Sequence, residues 1–433
     1  MTRRLSPGMH PARGRLLLSS VTAMIAAAGL AACDGAPATP TPMPAAIAWE
    51  RVDPVAGSPD GPGRIVDVGG RLIGVGTGSP WVSEDGRTWT EGEVDGPPGS
   101  SVSAVAAGPP DGPELVGVGR AGPMGSNRPI AFTSADGRRW VAVEGQPAFG
   151  LVPGYEQAYL DLTAVGQAGV VAVGTEWGTA GQRPFALVST DGRGWERTAE
   201  PPAGSAASAL VATGAGFLLA GVTGSPAAFQ PDCAFWVSKD GRSWQAAPDT
   251  PTFANAEPRA LAVGREVIAA VGFRILIFEG GELEGGFAPA AWTSTDGQSW
   301  VAAAETPGLA WWPAGRPTPA PGAIEGTTME TVASLGDAFI ALGVRWGINP
   351  VAVPSPNGQS RITSQGVAWR SADGVSWEML PDDPVLPLGT SEGTIGAGLY
   401  SVVARDDSVI AVGGTEADGV FVYIGTLGFA PRP

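Results

Sequence analysis

The sequence predicts an all-β chain folded as a seven-bladed β-propeller of four-stranded antiparallel blades, with the last blade closed by the N-terminal strand. Three observations predict it. A turn motif, Ser-x-Asp-Gly-x-x-Trp, occurs six times in 433 residues. A short apolar run ending in glycine precedes each copy. A strand that stands alone near the start of the chain matches one that is missing at its end. The motif aspartates, Asp85, Asp136, Asp191, Asp240, Asp296 and Asp373, lie 51, 55, 49, 56 and 77 residues apart. Such a period belongs to stacked or radial repeats.

Residues 1–33 read as an export signal ahead of the fold. Arg3, Arg4, Arg13 and Arg15 form a positive segment, and Leu16 to Ala32 an apolar one. The stretch ends Leu30-Ala31-Ala32-Cys33, which resembles the lipobox of bacterial lipoproteins. That resemblance implies lipidation of Cys33 and a location outside the cytoplasm, anchored to the bacterial cell membrane. Residues 34–45, with Pro37, Pro40, Pro42 and Pro44 among small residues, read as an extended tether. Residues 46–433 are then the propeller. Cleavage at Cys33 removes the one histidine, His10, and leaves 22 basic against 42 acidic residues, a net charge of −20. Cys233 is left without a partner cysteine and reads as a small, partly buried residue.

Each repeat unit follows one pattern. The apolar runs end at Gly76, Gly119, Gly174, Gly221, Gly272 and Gly343, with a seventh at Gly413. They are short and rich in β-branched residues, so they read as buried strands, each preceded by another strand such as Leu162 to Val165. A third strand carries Trp81, Phe132, Leu187, Trp236, Trp292 or Trp369 two residues before the motif serine. Asp-Gly then makes a tight turn, the aspartate bonding turn amides and the glycine accepting positive φ. The closing tryptophan opens a fourth strand and packs on a neighbouring sheet. Unit seven supplies only three strands, and Ile47-Ala48-Trp49-Glu50-Arg51 resembles the fourth-strand opening Trp195-Glu196-Arg197. Placing the N-terminal strand in that gap leaves no exposed sheet edge.

The six motifs resemble the Asp-box, or sialidase-type, repeats of six- and seven-bladed propellers, with Asp and Gly adjacent here where that family has one residue between them. In that family the box is a structural turn on the face away from the active site, so the resemblance implies fold rather than chemistry. A sialidase would also need three arginines, a tyrosine nucleophile paired with a glutamate, and an acidic proton donor. The family's Arg-Ile-Pro segment is missing, and none of Tyr155, Tyr159, Tyr400 and Tyr423 maps as the nucleophile.

Ligand binding is expected on the face opposite the box turns. The separation from run glycine to motif aspartate varies there from 9 to 30 residues, as binding loops on a rigid scaffold do. Four tryptophans outside the repeat pattern, Trp177, Trp311, Trp312 and Trp346, fall after the glycines and are candidates for a flat platform. The bland reading of the four is packing over the blade ends. Arg120, Arg274 and Arg345 follow their glycines closely and are candidates to hold a carboxylate or phosphate. Their bland reading is ion pairing with loop glutamates such as Glu176. The Pro-rich stretch Pro307 to Pro321 and the stretch Gly347 to Gly366 read as insertions forming a lid, a docking edge or plain surface loop.

Composition narrows the activity. A strongly acidic chain does not favour nucleic acid. Without histidine the mature chain cannot build a Ser-His-Asp triad or a His-ligated zinc or copper site, and no metal or other cofactor is expected. A glycosidase needs only two carboxylates and stays open. The expectation is a monomeric, membrane-tethered, non-catalytic propeller that binds a protein or a glycan. The alternative is a sialidase-like glycoside hydrolase.

Overall fold

The structure, a computed structural model, describes residues 43–53, 61–76, 78–123, 125–198, 206–223, 231–276, 286–309, 324–348, 361–392, 396–415 and 418–429. Cys33, Trp311 and Trp312 lie outside them, as do most of the proposed tether and much of the two insertions.

The chain is an all-β propeller with four-stranded antiparallel blades. β1 (Pro44–Val52) comes first. β2 (Arg64–Val68), β3 (Arg71–Val75), β4 (Trp81–Ser83) and β5 (Thr90–Glu91) form one sheet. β6 (Glu93–Asp95) leaves it to pair in parallel with the outer strand of the next sheet, built from β7 (Ser101–Ala107), β8 (Leu115–Ala121), β9 (Arg128–Ser134) and β10 (Arg139–Val143). β11 (Gln157–Gly166), β12 (Gly169–Gly178), β13 (Gly181–Ser189) and β14 (Glu196–Arg197) make a third sheet. β15 (Ala206–Thr213), β16 (Gly216–Thr223), β17 (Asp232–Ser238) and β18 (Gln245–Ala246) make a fourth.

A nine-stranded sheet holds two meanders. The first is β19 (Ala256–Val263), β20 (Ile268–Ile275), β21 (Phe287–Ser294) and β22 (Val301–Ala302). The second is β23 (Ile324–Leu335), β24 (Ala338–Ile348), β25 (Arg361–Ser371) and β26 (Trp377–Met379), with β27 (Leu388–Glu392) also on β25. A single parallel bridge, Phe287 to Gly326, joins them. In the last sheet β28 (Ala397–Arg405), β29 (Ser408–Thr415) and β30 (Gly419–Phe429) are completed by β1, which pairs antiparallel with β30 from Pro44–Phe429 to Val52–Val422.

The repeated turn explains why third and fourth strands meet as they do. In all six copies the serine Oγ accepts the glycine N–H at 2.8–2.9 Å. One aspartate oxygen accepts the two following amides, as in Asp296 with Gln298 at 2.8 Å and Ser299 at 2.7 Å. The turn glycines all have positive φ, 72° to 75°, a region that costs a side chain. In four copies the closing indole N–H donates back to the glycine carbonyl at 2.8–2.9 Å. Each turn is thus a closed hydrogen-bonded unit that delivers its tryptophan to the space between sheets.

Cores form between adjacent sheets. One cluster joins Ile65, Leu72, Trp81 and Trp89 to Ile410, Val412, Val422 and Ile424, so the first sheet packs directly on the last. The innermost strands touch in sequence, β2 to β7, β11, β15, β19, β23 and β28, and β28 touches β2 again.

The structure corrects one expectation. The run glycines do not end their strands: β12 extends past Gly174 to Gly178, and β24 past Gly343 to Ile348. Trp177, Trp346, Arg120, Arg274 and Arg345 therefore sit in second strands rather than in loops. The physical reason is a bulge. In six first strands the register slips by one residue, at Ser103, Asp161, Ser208, Arg259, Glu330 and Tyr400. The residue before each bulge faces the run glycine of the second strand, as Leu160 faces Gly174 and Met329 faces Gly343. The bulge pushes a carbonyl against that glycine. A Cβ at Gly174 would collide with the Tyr159 carbonyl, and one at Gly343 with that of Thr328. Glycine is there because no side chain fits, and the ladder continues beyond it.

Candidate functional site

The bulges build the site. A bulged residue is left out of the ladder and re-aims its side chain. Five of the six stand thirteen residues before their run glycine, so the slips fall at one level of neighbouring strands. Five of them, Asp161, Ser208, Arg259, Glu330 and Tyr400, join Arg64 and Glu257 around a cavity of about 300 Å³. These residues come from six different first strands, which places the cavity on the propeller axis. All first strands run the same way around the ring. A second cavity, about 220 Å³, is lined by the residues that follow the bulges, among them Leu162, Leu210, Leu261, Val332 and Val402. The first cavity thus lies towards the face opposite the box turns, and the second, which shares Arg64, Ser208, Arg259, Glu330 and Tyr400 with it, continues beneath.

Its charges are unevenly paired. Arg259 bonds Glu257 at 2.8 Å and reaches Glu330 at 3.5 Å. Arg64 donates to the Asp161 carbonyl at 3.3 Å and, among the described residues, forms no ion pair. Burial pushes the Asp161 carboxyl up to about 6, against the pull of Arg64. Burial also raises Glu257, opposed by Arg259 and reinforced by Glu330. The Tyr400 phenol is raised by burial and then by Glu330, although the residue is 48% exposed. Desolvation is the main cause in each case, as expected where charge is held in a walled site.

The residues singled out from sequence lie elsewhere. Trp177 packs on Tyr159, ring centroids 4.7 Å apart. Trp346 packs on Phe287 at 5.5 Å and over Gly326, its indole nitrogen buried without a partner. Arg120 approaches Ser101 Oγ at 3.4 Å. Arg345 bonds Asp382 at 2.7 Å and Gln365 at 2.8 Å. Arg274 is half-buried in β20. None of these five lines the axial cavity. Glu176, offered as an ion-pair partner for them, is fully buried and clamped by Arg183 at 2.6 Å and Arg197 at 3.0 Å. Sequence reasoning missed Arg64, Asp161, Ser208, Glu257, Arg259 and Glu330, and weighed Tyr400 only as a nucleophile that did not map. For Asp161, Ser208, Arg259, Glu330 and Tyr400 the signal was the thirteen-residue offset from the run glycine; Arg64, twelve residues before Gly76, and Glu257, fifteen before Gly272, do not share it.

No protein-family model matches the chain, and no curated protein matches it. Solved structures do. A puromycin hydrolase mutant, S511A, complexed with PGG is 11% identical with a TM-score of 0.50, over 86% of this chain and 54% of that one. Trypanosoma rangeli sialidase in complex with the inhibitor DANA is 11% identical with a TM-score of 0.37, over 79% of this chain and 57% of that one. A glycoside hydrolase is 13% identical with a TM-score of 0.33, over 66% of this chain and 91% of that one. The chain thus spans little more than half of the first two, and at these identities the likeness is one of fold.

Proposed function

We propose that the protein is an extracytoplasmic lipoprotein, tethered through Cys33, whose seven-bladed propeller binds a carbohydrate-class ligand in the axial cavity. The single observation that carries this reading is the cavity itself, where six first strands contribute two arginines, three carboxylates, a serine and a partly exposed tyrosine. Mixed donors and acceptors beside an aromatic face suit a hydroxylated ligand. Seven blades follow from counting the nine-stranded sheet as two. Closure by β1 is supported by a repeated ion pair. Arg242 of the fourth turn bonds Glu196 of the preceding outer strand at 2.7 Å, and Arg87 of the first turn bonds Glu50 of β1 at the same distance. β1 therefore stands where an outer strand stands elsewhere in the ring. In this reading the protein acts alone, without cofactor or nucleic acid, and Trp177, Trp346 and the three second-strand arginines support the walls.

The test is binding of the mature protein to an immobilised glycan panel, with and without Ser208→Leu to plug the cavity. Retained glycans that are lost on plugging support the reading, and binding indifferent to the plug overturns it. Loss of membrane association in Cys33→Ser tests the tether separately. A sialidase-like hydrolase is the second reading, favoured by Tyr400 beside Glu330 and by the high-titrating Asp161 in the same cavity. Turnover of chromogenic aryl glycosides, abolished by Tyr400→Phe, would select it.

A further inference from the structure

We propose that the axial cavity selects a single sugar ring carrying a primary ammonium group, an amino sugar, over its neutral and N-acylated counterparts. The inference rests on the axial-cavity reading above and adds the charge of the ligand to it.

Charge balance carries the argument. The lining sets three carboxylates, Asp161, Glu257 and Glu330, against two arginines, Arg64 and Arg259, an excess of one negative charge when all are ionised, and Arg259 is shared between Glu257 and Glu330. No lysine supplies the missing cation, because the chain's one lysine, Lys239, lies beside the box turns around a different cavity. A metal ion is a poor complement: among the described residues no three acidic, histidine or cysteine side chains are grouped as ligands. An ammonium fits better, since it can be bonded by one carboxylate while the other keeps Arg259, and the exposed tyrosine face beside it favours a cation. Burial pushes the Glu257 carboxyl up against the pull of Arg259, and the neighbouring Glu330 carboxylate adds to that rise as a like charge.

The other wall suits hydroxyls. Arg64 keeps guanidinium donors beyond its one bond to the Asp161 carbonyl, and Ser208 offers both a donor and an acceptor. At about 300 Å³ the cavity is at the small end of ligand pockets, which run from about 300 to 1,000 Å³, so one ring is favoured over an oligosaccharide.

The experiment is calorimetric titration of the mature protein at pH 7.5 with glucosamine, galactosamine and mannosamine, each beside its N-acetyl form and its parent hexose. At least one amine is expected to bind about tenfold more tightly than both counterparts, equivalent to about 1.4 kcal/mol. Glu330→Gln is expected to cut that preference to about twofold or less. Glu196→Gln on the box face is expected to leave it unchanged. Neutral sugars binding as well as the amines, with binding lost in Ser208→Leu, would overturn the ammonium preference and leave the axial reading standing. No binding by any probe, or binding that survives the plug, would overturn both. Should Glu330→Gln lose its fold, the wild-type series alone decides, because amine and N-acetyl forms differ in charge at one position of the ring.

Discussion

At the scale of single residues, two kinds of carboxylate respond to pH in opposite directions. The turn aspartates Asp85, Asp136, Asp191, Asp240 and Asp296 are held below their ordinary range by backbone amides, Asp296 to about 2. Their contribution is present above the unfolded value and is lost as pH falls through the lowered one. Asp161 is the reverse. Its folded value, about 6, lies above the unfolded one near 3.8, so the native state binds the extra proton. Its favourable contribution is complete below about pH 4 and is lost as pH rises through about 6. Asp161→Asn should therefore raise the melting temperature more at pH 8 than at pH 4.5. The ceiling is about 3 kcal/mol, less whatever solvent in the cavity screens. Equal effects at both pH values would remove Asp161 from the cavity wall. Glu176 gives a sharper result: its side chain is fully buried between two arginines, and Glu176→Ala should cost about 3–5 kcal/mol in denaturant melts by removing the carboxylate that both bond.

At the scale of elements, the bulge is the unit that links stability to the site. Gly174→Ala places a methyl where the Tyr159 carbonyl now sits, so the bulge at Asp161 must move. A loss of about 1–3 kcal/mol is expected from overpacking, together with weakened binding of whatever ligand the cavity takes. A change at an exposed strand position, such as Val301→Ala, should do neither. The strands themselves were legible because turn chemistry is local: Ser, Asp, Gly and Trp at fixed spacing dictate the hairpin and its packing. The bulges were not, because a register slip is a relation between two strands. A run such as Val170-Val171-Ala172-Val173-Gly174 looks like a strand reaching its end, when the glycine marks pressure from its neighbour. Misreading it moved Trp177 and Trp346 into loops and drew attention away from Asp161 and Glu330.

At the scale of the whole molecule, the ring is held by one long-range pairing. β1 joins β30 over its length, Arg87 bonds Glu50 with both guanidinium nitrogens at 2.8 and 2.7 Å, and Arg370 reaches the Pro44 carbonyl. Deleting residues 44–52 should leave β30 with an open edge and expose the side of the last sheet where Ile47 and Trp49 pack. Scanning calorimetry should show a fall of several degrees or more, and light scattering should show self-association. A deletion variant that melts like the full chain and stays monomeric would show that β1 is an ornament of the fold.

That same pairing sets a clock. Of the described strands, β1 is the first in the chain and its partner β30 the last, so Trp49 must wait for Gly425 while the sheets between them assemble. Bringing the two ends together carries the entropy of a very long loop, and its contacts are among the most distant the sequence allows. Until that moment the growing chain is an open arc with a sticky strand at each extremity, able to capture the complementary strand of a neighbour. Refolding should accordingly slow in its final phase, and crowded refolding should trap dimers that have exchanged their N-terminal strands.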